Sequence, residues 1–304
     1  MTIVSVVICT YSRERLNDVV NCINSLKEQT LKPSEIILAL DKNEALIDFY
    51  RSHMPSDIKI VVSEGTGLSN ARNAGVKNAR GDIIAFIDDD AIADKKWLEN
   101  LVKNYNDPLV IGAGGLIIPQ WENRRPYWFP EELDWIVGCS YKGFPKHKTS
   151  IRNPIGCNMS FRKYVFERAG YFKTNVGRFG KKLLAGEEME FSVRALEEIP
   201  ASKIIYDPSA VVYHRIPESR AKIKYFLKRS FYEGVSKALI VKSKQNSKDI
   251  LSSEQCYIRH LLTTAIPERL KRIYKPRSLC QLLVISLSIM LVLIGYFITK
   301  IKDY

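Results

Sequence analysis

The chain has 304 residues, of which 46% are hydrophobic and 26% are charged. This composition excludes an intrinsically disordered protein and suffices for one domain with an appendage. The net charge of +13 first suggests a nucleic-acid-binding protein, but the positive charge is concentrated towards the carboxyl end. The six cysteines form no CxxC pair, so we expect reduced, mostly buried thiols instead of a disulfide framework.

Short apolar runs alternate with helical patterns in the first ninety residues. The runs predict strands at 3–9, 35–40, 58–62 and 82–87. This alternation indicates a mostly parallel sheet covered by helices on both faces. Because ligands bind beyond the carboxyl ends of strands in such sheets, we expect the polar residues there to meet at one edge. They are Thr10 to Arg13, Asp41, Glu64 and Asp88 to Asp90.

The second half of the chain has a less regular pattern. We expect a strand with a glycine bend at 109–119, a long aromatic loop at 120–150, a strand or turn entering a short helix at 156–170, a helix at 186–198, two short strands at 203–214 and a basic amphipathic helix at 218–234.

A strongly apolar run lies near the carboxyl end. From Arg220 to Arg277 there are 15 lysine and arginine residues against four acidic ones, and residues 279–298 then carry no charge. Twenty predominantly apolar residues form a helix of about 30 Å, long enough to cross a bilayer, and a buried core helix is the alternative. The basic stretch suits an anionic cytoplasmic leaflet and argues against nucleic acid as a partner. Since no signal peptide is recognised, we expect a single-pass protein of the cell membrane with its folded domain in the cytoplasm.

Three consecutive aspartates, Asp88 to Asp90, follow the fourth predicted strand. Adjacent carboxylates repel one another, so the cluster requires a compensating partner. Hard cations prefer oxygen ligands, so an Asp-x-Asp sequence at a strand end is a suitable binding site for Mg²⁺ or Mn²⁺ bound to a diphosphate. An acidic surface turn is the alternative, although three adjacent carboxylates without glycine or asparagine are unusual in turns.

Five ordered motifs carry a family resemblance. They are "SVVICTYSR" (5–13), "GLSNARNAG" (67–75), "FIDDDA" (86–91), "GCNMSFRK" (156–163) and "GEEME" (186–190). Over residues 3–240 the chain resembles the family 2 glycosyltransferases, nucleotide-sugar enzymes with the GT-A fold. It is similar to the membrane-anchored archaeal and bacterial members of glycan assembly, including glucosyl-dolichyl-phosphate glucuronosyltransferases.

The resemblance implies an α/β fold of the GT-A class, with a Rossmann-like, mostly parallel mixed sheet flanked by helices. A catalytic GT-A domain would occupy residues 1–240 and a basic juxtamembrane segment residues 241–278. A transmembrane helix would follow at 279–298.

The same resemblance implies roles for particular residues. Glu188 would be the catalytic base, while Asp90 and His214 would hold a divalent cation, Mg²⁺ or Mn²⁺. Asp88 would contact the sugar or the ribose. The remaining substrate- and nucleotide-binding residues would be Thr10, Tyr11, Arg13, Asp41, Arg72, Asp89, Asn158, Glu187 and Arg220.

Several of these positions have structural alternatives. Thr10, Tyr11 and Arg13 could cap the first helix. Arg72 could be a solvated helix residue, and His214 an ordinary histidine at a strand end. The tryptophans of the aromatic loop either stack on sugar rings or pack within the protein.

The chain also departs from the family pattern at two positions. The segment around Asp41 lacks the doubled aspartate and the serine that the family usually has there. Glu188 stands where the family usually has aspartate. The three glutamates of "GEEME" would in any case suit the positive end of a helix dipole. Glu188 would be the base, while Glu187 and Glu190 would begin the helix or orient the acceptor.

The resemblance thus implies an inverting glycosyltransferase. It would move a sugar from a nucleotide-diphosphate donor, expected to be a UDP-sugar, to a polyprenyl- or dolichyl-phosphate-linked acceptor at the membrane. Protein glycosylation or cell-surface polysaccharide synthesis would be the setting. An inactive nucleotide-binding or membrane scaffold protein is the alternative, and the intact aspartate and glutamate motifs count against it.

Overall fold

Nine strands form one mixed sheet in the computed structural model, which describes residues 3–177, 183–243 and 251–301. The strands are β1 (Val4–Thr10), β2 (Glu35–Leu40), β3 (Ile58–Val62), β4 (Ile83–Asp88), β5 (Ala91–Ala93), β6 (Val110–Trp121), β7 (Thr149–Ile151), β8 (Asn158–Arg162) and β9 (Lys203–Ile216). Their order in the sheet is β3-β2-β1-β4-β8-β6-β9-β5, and β7 pairs with β9.

Ten α-helices accompany the sheet within the described ranges. They are α1 (Leu16–Lys27), α2 (Glu44–His53), α3 (Leu68–Asn78), α4 (Trp97–Lys103), α5 (Lys163–Ala169), α6 (Glu187–Glu198), α7 (Ile223–Ser243), α8 (Ser252–His260), α9 (Ile266–Leu270) and α10 (Pro276–Ile301). Short 3₁₀ helices at Arg13–Arg15, Asn104–Asn106, Glu131–Val137 and Glu218–Ala221, and a π-helical turn at Leu261–Ala265, complete the secondary structure.

The parallel half of the sheet sets up the functional edge. Strand β1 pairs in parallel with β2 and β4, and β2 pairs in parallel with β3. Valine and isoleucine dominate these strands, which suits burial on both faces. In this register Cys9 lies opposite Asp88, and Thr10 lies opposite Leu40. The carboxyl ends of three strands therefore lie side by side, as the sequence predicts.

An aromatic cluster fixes α6 against the antiparallel half of the sheet. Phe191 of α6 stacks on Phe166 of α5 with ring centroids 4.6 Å apart, and it meets Phe161 of β8 edge-to-face at 4.9 Å. All three rings are buried. Such aromatic pairs add about 0.5–1.5 kcal/mol each beyond the burial of their area. The cluster thereby positions the first turn of α6, which carries Glu187 and Glu188.

The chain forms two compact units. Unit 1 contains Met1–Ile118, Lys146–Gly180 and Glu187–His214, and unit 2 contains Pro119–Pro145, Lys181–Gly186 and Arg215–Tyr304. The functional division at residues 240 and 278 stays a prediction. Residues 244–250 of the predicted basic segment lie outside the described residues.

Three predictions for the second half need correction. The aromatic loop at 120–150 contains the 3₁₀ helix Glu131–Val137 and strand β7. Residues 203–214 belong to one strand, because β9 continues past Pro208 between its pairings with β7 and β5. The basic helix begins at Ile223 instead of 218, after the 3₁₀ helix that follows Pro217, and extends to Ser243.

Candidate functional site

Arg15 compensates the aspartate cluster at the end of β4. Asp89 and Asp90 are buried, and Arg15 Nη1 contacts Asp89 Oδ1 and lies 3.1 Å from Asp90 Oδ2. Burial raises the pKa of Asp89, and the Arg15 cation opposes that rise. Asp88 is partly exposed, with 34% of its side chain accessible. An acidic surface turn is therefore excluded, because two of the three carboxylates are buried and ion-paired.

Arg72 joins the aspartate cluster to the start of α6. Its Nη1 donates to Glu187 Oε1 at 2.8 Å, and its Nη2 lies 3.7 Å from Asp88 Oδ1. Burial acts to lower the pKa of Arg72, but the Glu187 and Asp88 carboxylates outweigh this effect and raise the pKa, so the guanidinium stays charged. A side chain at Gly156 would begin 2.6 Å from Arg72 Nη2, which explains the glycine there. Arg72 is thus a buried ion-pair partner, and the solvated alternative is wrong.

Glu188 follows Glu187 in the first turn of α6 and is partly exposed. The helix amino terminus favours an ionised carboxylate at this point. The charge of Glu188 also contributes to the raised pKa of Arg72, which places it in the same electrostatic environment as Asp88 and Glu187. In its ionised form, a carboxylate at this position can accept a proton from a bound hydroxyl group.

Glu190 has a structural role. It is fully buried, and its carboxylate accepts from Arg194 Nη2 at 2.8 Å and pairs with Lys173 Nζ at 2.9 Å. Burial acts to raise the pKa of Glu190, but the bonds from Arg194 and Lys173 outweigh it and hold the pKa below its ordinary value. This glutamate anchors α6 and does not orient an acceptor.

Three potential metal ligands converge beside the aspartates. Asp88, Cys157 and His214 each offer one ligand atom, and these atoms lie within 4.8 Å of one another. His214 is buried, and its Nε2 lies 3.1 Å from Asp90 Oδ1. Carboxylate and imidazole donors fit a divalent cation, while the thiol makes this set softer than the all-oxygen shell that Mg²⁺ prefers.

The loop after β1 lies beside the same edge. Thr10 is buried at the end of β1, while Tyr11 is 64% exposed and lies under the Arg15 guanidinium at 5.0 Å. Arg13 donates to the Ala45 carbonyl at 2.6 Å. The following 3₁₀ helix is capped by Ser12, whose hydroxyl accepts from Glu14 N at 3.2 Å. The capping alternative for Thr10, Tyr11 and Arg13 is therefore wrong.

Asp41 organises the neighbouring loop. Its two carboxylate oxygens accept from the Gly67 backbone N–H at 3.1 and 3.2 Å. Gly67 precedes α3 with a φ of 103°, a conformation that favours glycine. Burial raises the pKa of Asp41. The predicted role of Asp41 in binding the nucleotide stays a prediction.

Asn158 holds strands together. It is fully buried, its Oδ1 accepts from Trp97 Nε1 at 2.8 Å, and its Nδ2 donates to the carbonyls of Leu116 and Ala210. A side chain engaged in this way supports the sheet under the site, and its predicted contact with substrate stays a prediction.

The aromatic residues of unit 2 pack with one another. Trp121 meets Phe129 edge-to-face at 5.3 Å, and Trp135 Nε1 donates to the Tyr257 hydroxyl at 3.1 Å. These contacts favour the packing alternative over sugar stacking. Arg220 also belongs to unit 2, where it is buried in the 3₁₀ helix Glu218–Ala221, and its predicted role at the diphosphate stays a prediction.

Sequence reasoning missed Arg15 and Cys157. The signal for Arg15 was its position in the loop after β1, since the carboxyl ends of β1 and β4 are neighbours and the aspartates need a cation. Cys157 gave no signal, because its proximity to Asp88 and His214 depends on the antiparallel pairings of β8 and β9.

Comparisons with known proteins agree with this architecture. The model of glycosyl transferase family 2 matches residues 5–170. The chain is 36% identical over 283 residues to the glucosyl-dolichyl phosphate glucuronosyltransferase of Haloferax volcanii, an alignment that covers 91% of this chain and 89% of the relative.

Two solved structures show the same fold at low identity. TarS of S. aureus, residues 1–349, has a TM-score of 0.51 at 17% identity, with 86% of this chain and 72% of that chain covered. GalNAc-T7 with UDP, GalNAc and Mn²⁺ has a TM-score of 0.53 at 16% identity, with 87% and 57% covered. The GT-A architecture expected from the sequence is confirmed. The chain therefore belongs to glycosyl transferase family 2 and is a glycosyltransferase.

Proposed function

We propose that this enzyme transfers a sugar from a nucleotide-diphosphate sugar, a UDP-sugar, to a lipid-linked acceptor, with inversion at the anomeric carbon. The pairing of Arg72 with both Asp88 and Glu187 carries the proposal. It brings the carboxylates at the end of β4 close to the first turn of α6, which supports a donor side at β4 and an acceptor side at α6 within one site. The glucuronosyltransferase relative, named for a glucosyl-dolichyl phosphate, supports a polyprenyl- or dolichyl-phosphate-linked acceptor.

Glu188 acts as the base in this proposal. The acceptor hydroxyl oxygen attacks the anomeric carbon while its proton passes to the Glu188 carboxylate, and the bond to the departing nucleoside diphosphate breaks. A nucleoside diphosphate leaves without needing a proton, so one carboxylate base is sufficient. Thr10, Tyr11, Arg13 and Asp41 line the nucleotide side of the site, and Arg220 assists the leaving diphosphate.

A divalent cation, Mg²⁺ or Mn²⁺, completes the donor site. Asp90, His214 and the partly exposed Asp88 are the residues that would hold it. When bound, the cation would stabilise the negative charge that develops on the leaving diphosphate. Arg15 compensates the negative charge of the neighbouring Asp89 and Asp90 carboxylates.

The catalytic domain occupies residues 1–240 and faces the cytoplasm in this proposal, with α10 as the membrane attachment. Within the described residues, α10 is the one helix long and apolar enough to cross a membrane. A lipid-linked acceptor and a membrane-attached enzyme would meet at the same surface.

A donor screen tests the proposed activity. The full chain in membranes or detergent is incubated with a panel of labelled nucleotide sugars and with dolichyl-phosphate-linked glucose or other lipid-linked sugars. We expect label in the lipid fraction with at least one UDP-sugar, loss of that label in EDTA and its return with Mn²⁺ or Mg²⁺. Nucleotide binding without transfer to any lipid-linked sugar would favour the inactive scaffold instead.

A further inference from the structure

Helix α10 has a buried face and an exposed apolar face along its whole length. The buried residues recur every one or two helical turns, from Gln281 through Ile285 and Ser288 to Gly295 and Thr299. On the opposite side large apolar side chains are exposed. Six of these side chains belong to Leu283, Met290, Leu293, Ile294, Phe297 and Ile301. A helix surrounded by lipid along its length would show no such division.

The buried face of α10 packs closely on α7. A side chain at Gly295 would begin 2.2 Å from the Phe231 carbonyl oxygen, and one at Gly234 would begin 1.9 Å from the Val292 carbonyl oxygen. Ser230 and Ser288 also lie within 3.3 Å of each other through their hydroxyls. These contacts place the middle of α10 directly against the backbone of α7.

Helix α7 has charged side chains close to its contact with the middle of α10. Arg229 Nη1 lies 2.7 Å from Glu233, and Lys237 Nζ lies 3.3 Å from Glu233 and 2.5 Å from Glu254. Glu233 is adjacent to Gly234, the residue that touches the middle of α10. If α10 crossed the bilayer as packed here, these charges would lie near its centre. Charged side chains are strongly unfavourable at the centre of a bilayer.

A basic edge continues from the apolar face. Four cationic side chains, Lys271, Arg272, Lys275 and Arg277, are exposed before and at the start of α10. Among them lie Ile273 and the 76% exposed Tyr274. Lysine, arginine and tyrosine beside exposed apolar groups suit the headgroup layer of an anionic membrane.

We propose that unit 2 docks on an anionic lipid bilayer with α10 lying in the interface instead of crossing it. The exposed face of α10 enters the acyl boundary, α7 stays on the protein side, and the basic edge contacts lipid phosphates. The sequence alone predicts a single crossing, since it shows the apolar run but not the packing of one face on a charged helix. This proposal goes beyond the proposed sugar transfer and does not depend on it.

Membrane topology distinguishes the arrangements. The full chain carries a small epitope at each end, and sealed vesicles are treated with protease and with an impermeant thiol reagent. We expect both epitopes and the exposed thiol of Cys256 to react from the same side. A Cys256→Ser variant identifies the labelled thiol, and detergent-opened vesicles give the full signal.

Each other result overturns the proposal. End epitopes on opposite sides show that α10 crosses the bilayer. Cys256 protected on the side opposite two accessible ends shows that α7 and α10 both cross. Recovery of the full chain in the soluble fraction as a dimer shows that a second copy, not lipid, covers the apolar face.

Vesicle flotation tests the basic edge. One variant changes the four exposed cations at Lys271, Arg272, Lys275 and Arg277 to glutamine. Its matched control changes four exposed cations of unit 1 at Arg51, Arg80, Lys95 and Lys96. We expect the first variant to bind vesicles containing anionic lipid at least about tenfold more weakly, and the control to bind within about threefold of the parent. Equal losses in the two variants would contradict a specific basic edge.

Discussion

Arg15 is the residue on which the aspartate cluster depends. Its guanidinium is the cation that contacts the buried Asp89 and Asp90. Replacing Arg15 by methionine would leave two carboxylates buried without that charge. Breaking a buried ion pair from one side costs about 3–5 kcal/mol, so we expect a loss near the lower limit because Arg15 is itself partly exposed.

Urea unfolding of the detergent-solubilised variants measures this loss. Arg13→Met is the matched control, because Arg13 is exposed and donates to the Ala45 carbonyl. We expect the control to lose less than about 1 kcal/mol. Equal unfolding free energies for the two variants would show that Arg15 does not compensate the cluster.

Glu190 makes the stability of α6 dependent on pH. Its folded-state pKa is held below its ordinary value of 4.5 by Arg194 and Lys173 against the effect of burial. The stabilisation is therefore complete above the unfolded-state pKa and is lost as the pH falls through the lower folded-state value. We expect the gap in unfolding free energy between the parent and Glu190→Gln to shrink as acid is added below pH 4.5.

Thermal unfolding of both proteins across the acid range checks this slope. Glu198→Gln, at the exposed end of the same helix, is the control. Its unfolding free energy at neutral pH is expected to stay within about 0.5 kcal/mol of the parent value, because the substitution lies on the exposed surface. If the difference in unfolding free energy between the parent and Glu190→Gln did not depend on pH, the ion pairs of Glu190 would not stabilise the folded protein.

At the scale of elements, the contact between α7 and α10 gives a prediction of sign. Alanine is a better helix former than glycine by about 1 kcal/mol, so propensity alone predicts that Gly295→Ala stabilises the protein. The added methyl group would meet the Phe231 carbonyl oxygen at 2.2 Å, and overpacking of this kind costs about 1–3 kcal/mol. We therefore expect a net loss of stability.

Ser286→Ala, on the exposed face of the same helix, serves as the comparison. It gains slightly in propensity and loses no contact with α7, so its melting temperature in detergent should equal or exceed that of the parent. A Gly295→Ala variant that is as stable as Ser286→Ala would show that the two helices do not pack in solution.

Across the whole molecule, the local sequence pattern correctly predicted those strands and helices whose boundaries depend on nearby residues. The four parallel strands and α6 lie close to their expected positions, because each is a short apolar or amphipathic run with its own boundaries. The meeting of Thr10, Asp41 and Asp88 at one edge followed from strand order alone. The continuity of β9 was missed, since it depends on two partners, β7 and β5, that lie far apart in sequence.

Long-range pairing also decided which hydrogen bonds the predicted site residues make. Asn158 resembles a family motif, yet its amide bonds to Trp97, Leu116 and Ala210, which no linear pattern reveals. The apolar run at 279–298 predicted a helix correctly. The buried face of that helix became visible only with α7 beside it.

The central claim, sugar transfer with Glu188 as base, is tested by transfer rate and donor affinity measured on one preparation of Glu188→Gln. The glutamine keeps the shape of the side chain but cannot take the proton, and loss of a general base costs about 10²- to 10⁴-fold in rate. Donor affinity should change little, because Glu188 acts on the acceptor. Glu187→Gln is the control, and it is expected to weaken the Arg72 pairing without removing the base. A Glu188→Gln enzyme that transfers sugar at the parent rate would contradict the account, most plainly if Glu187→Gln is the inactive variant.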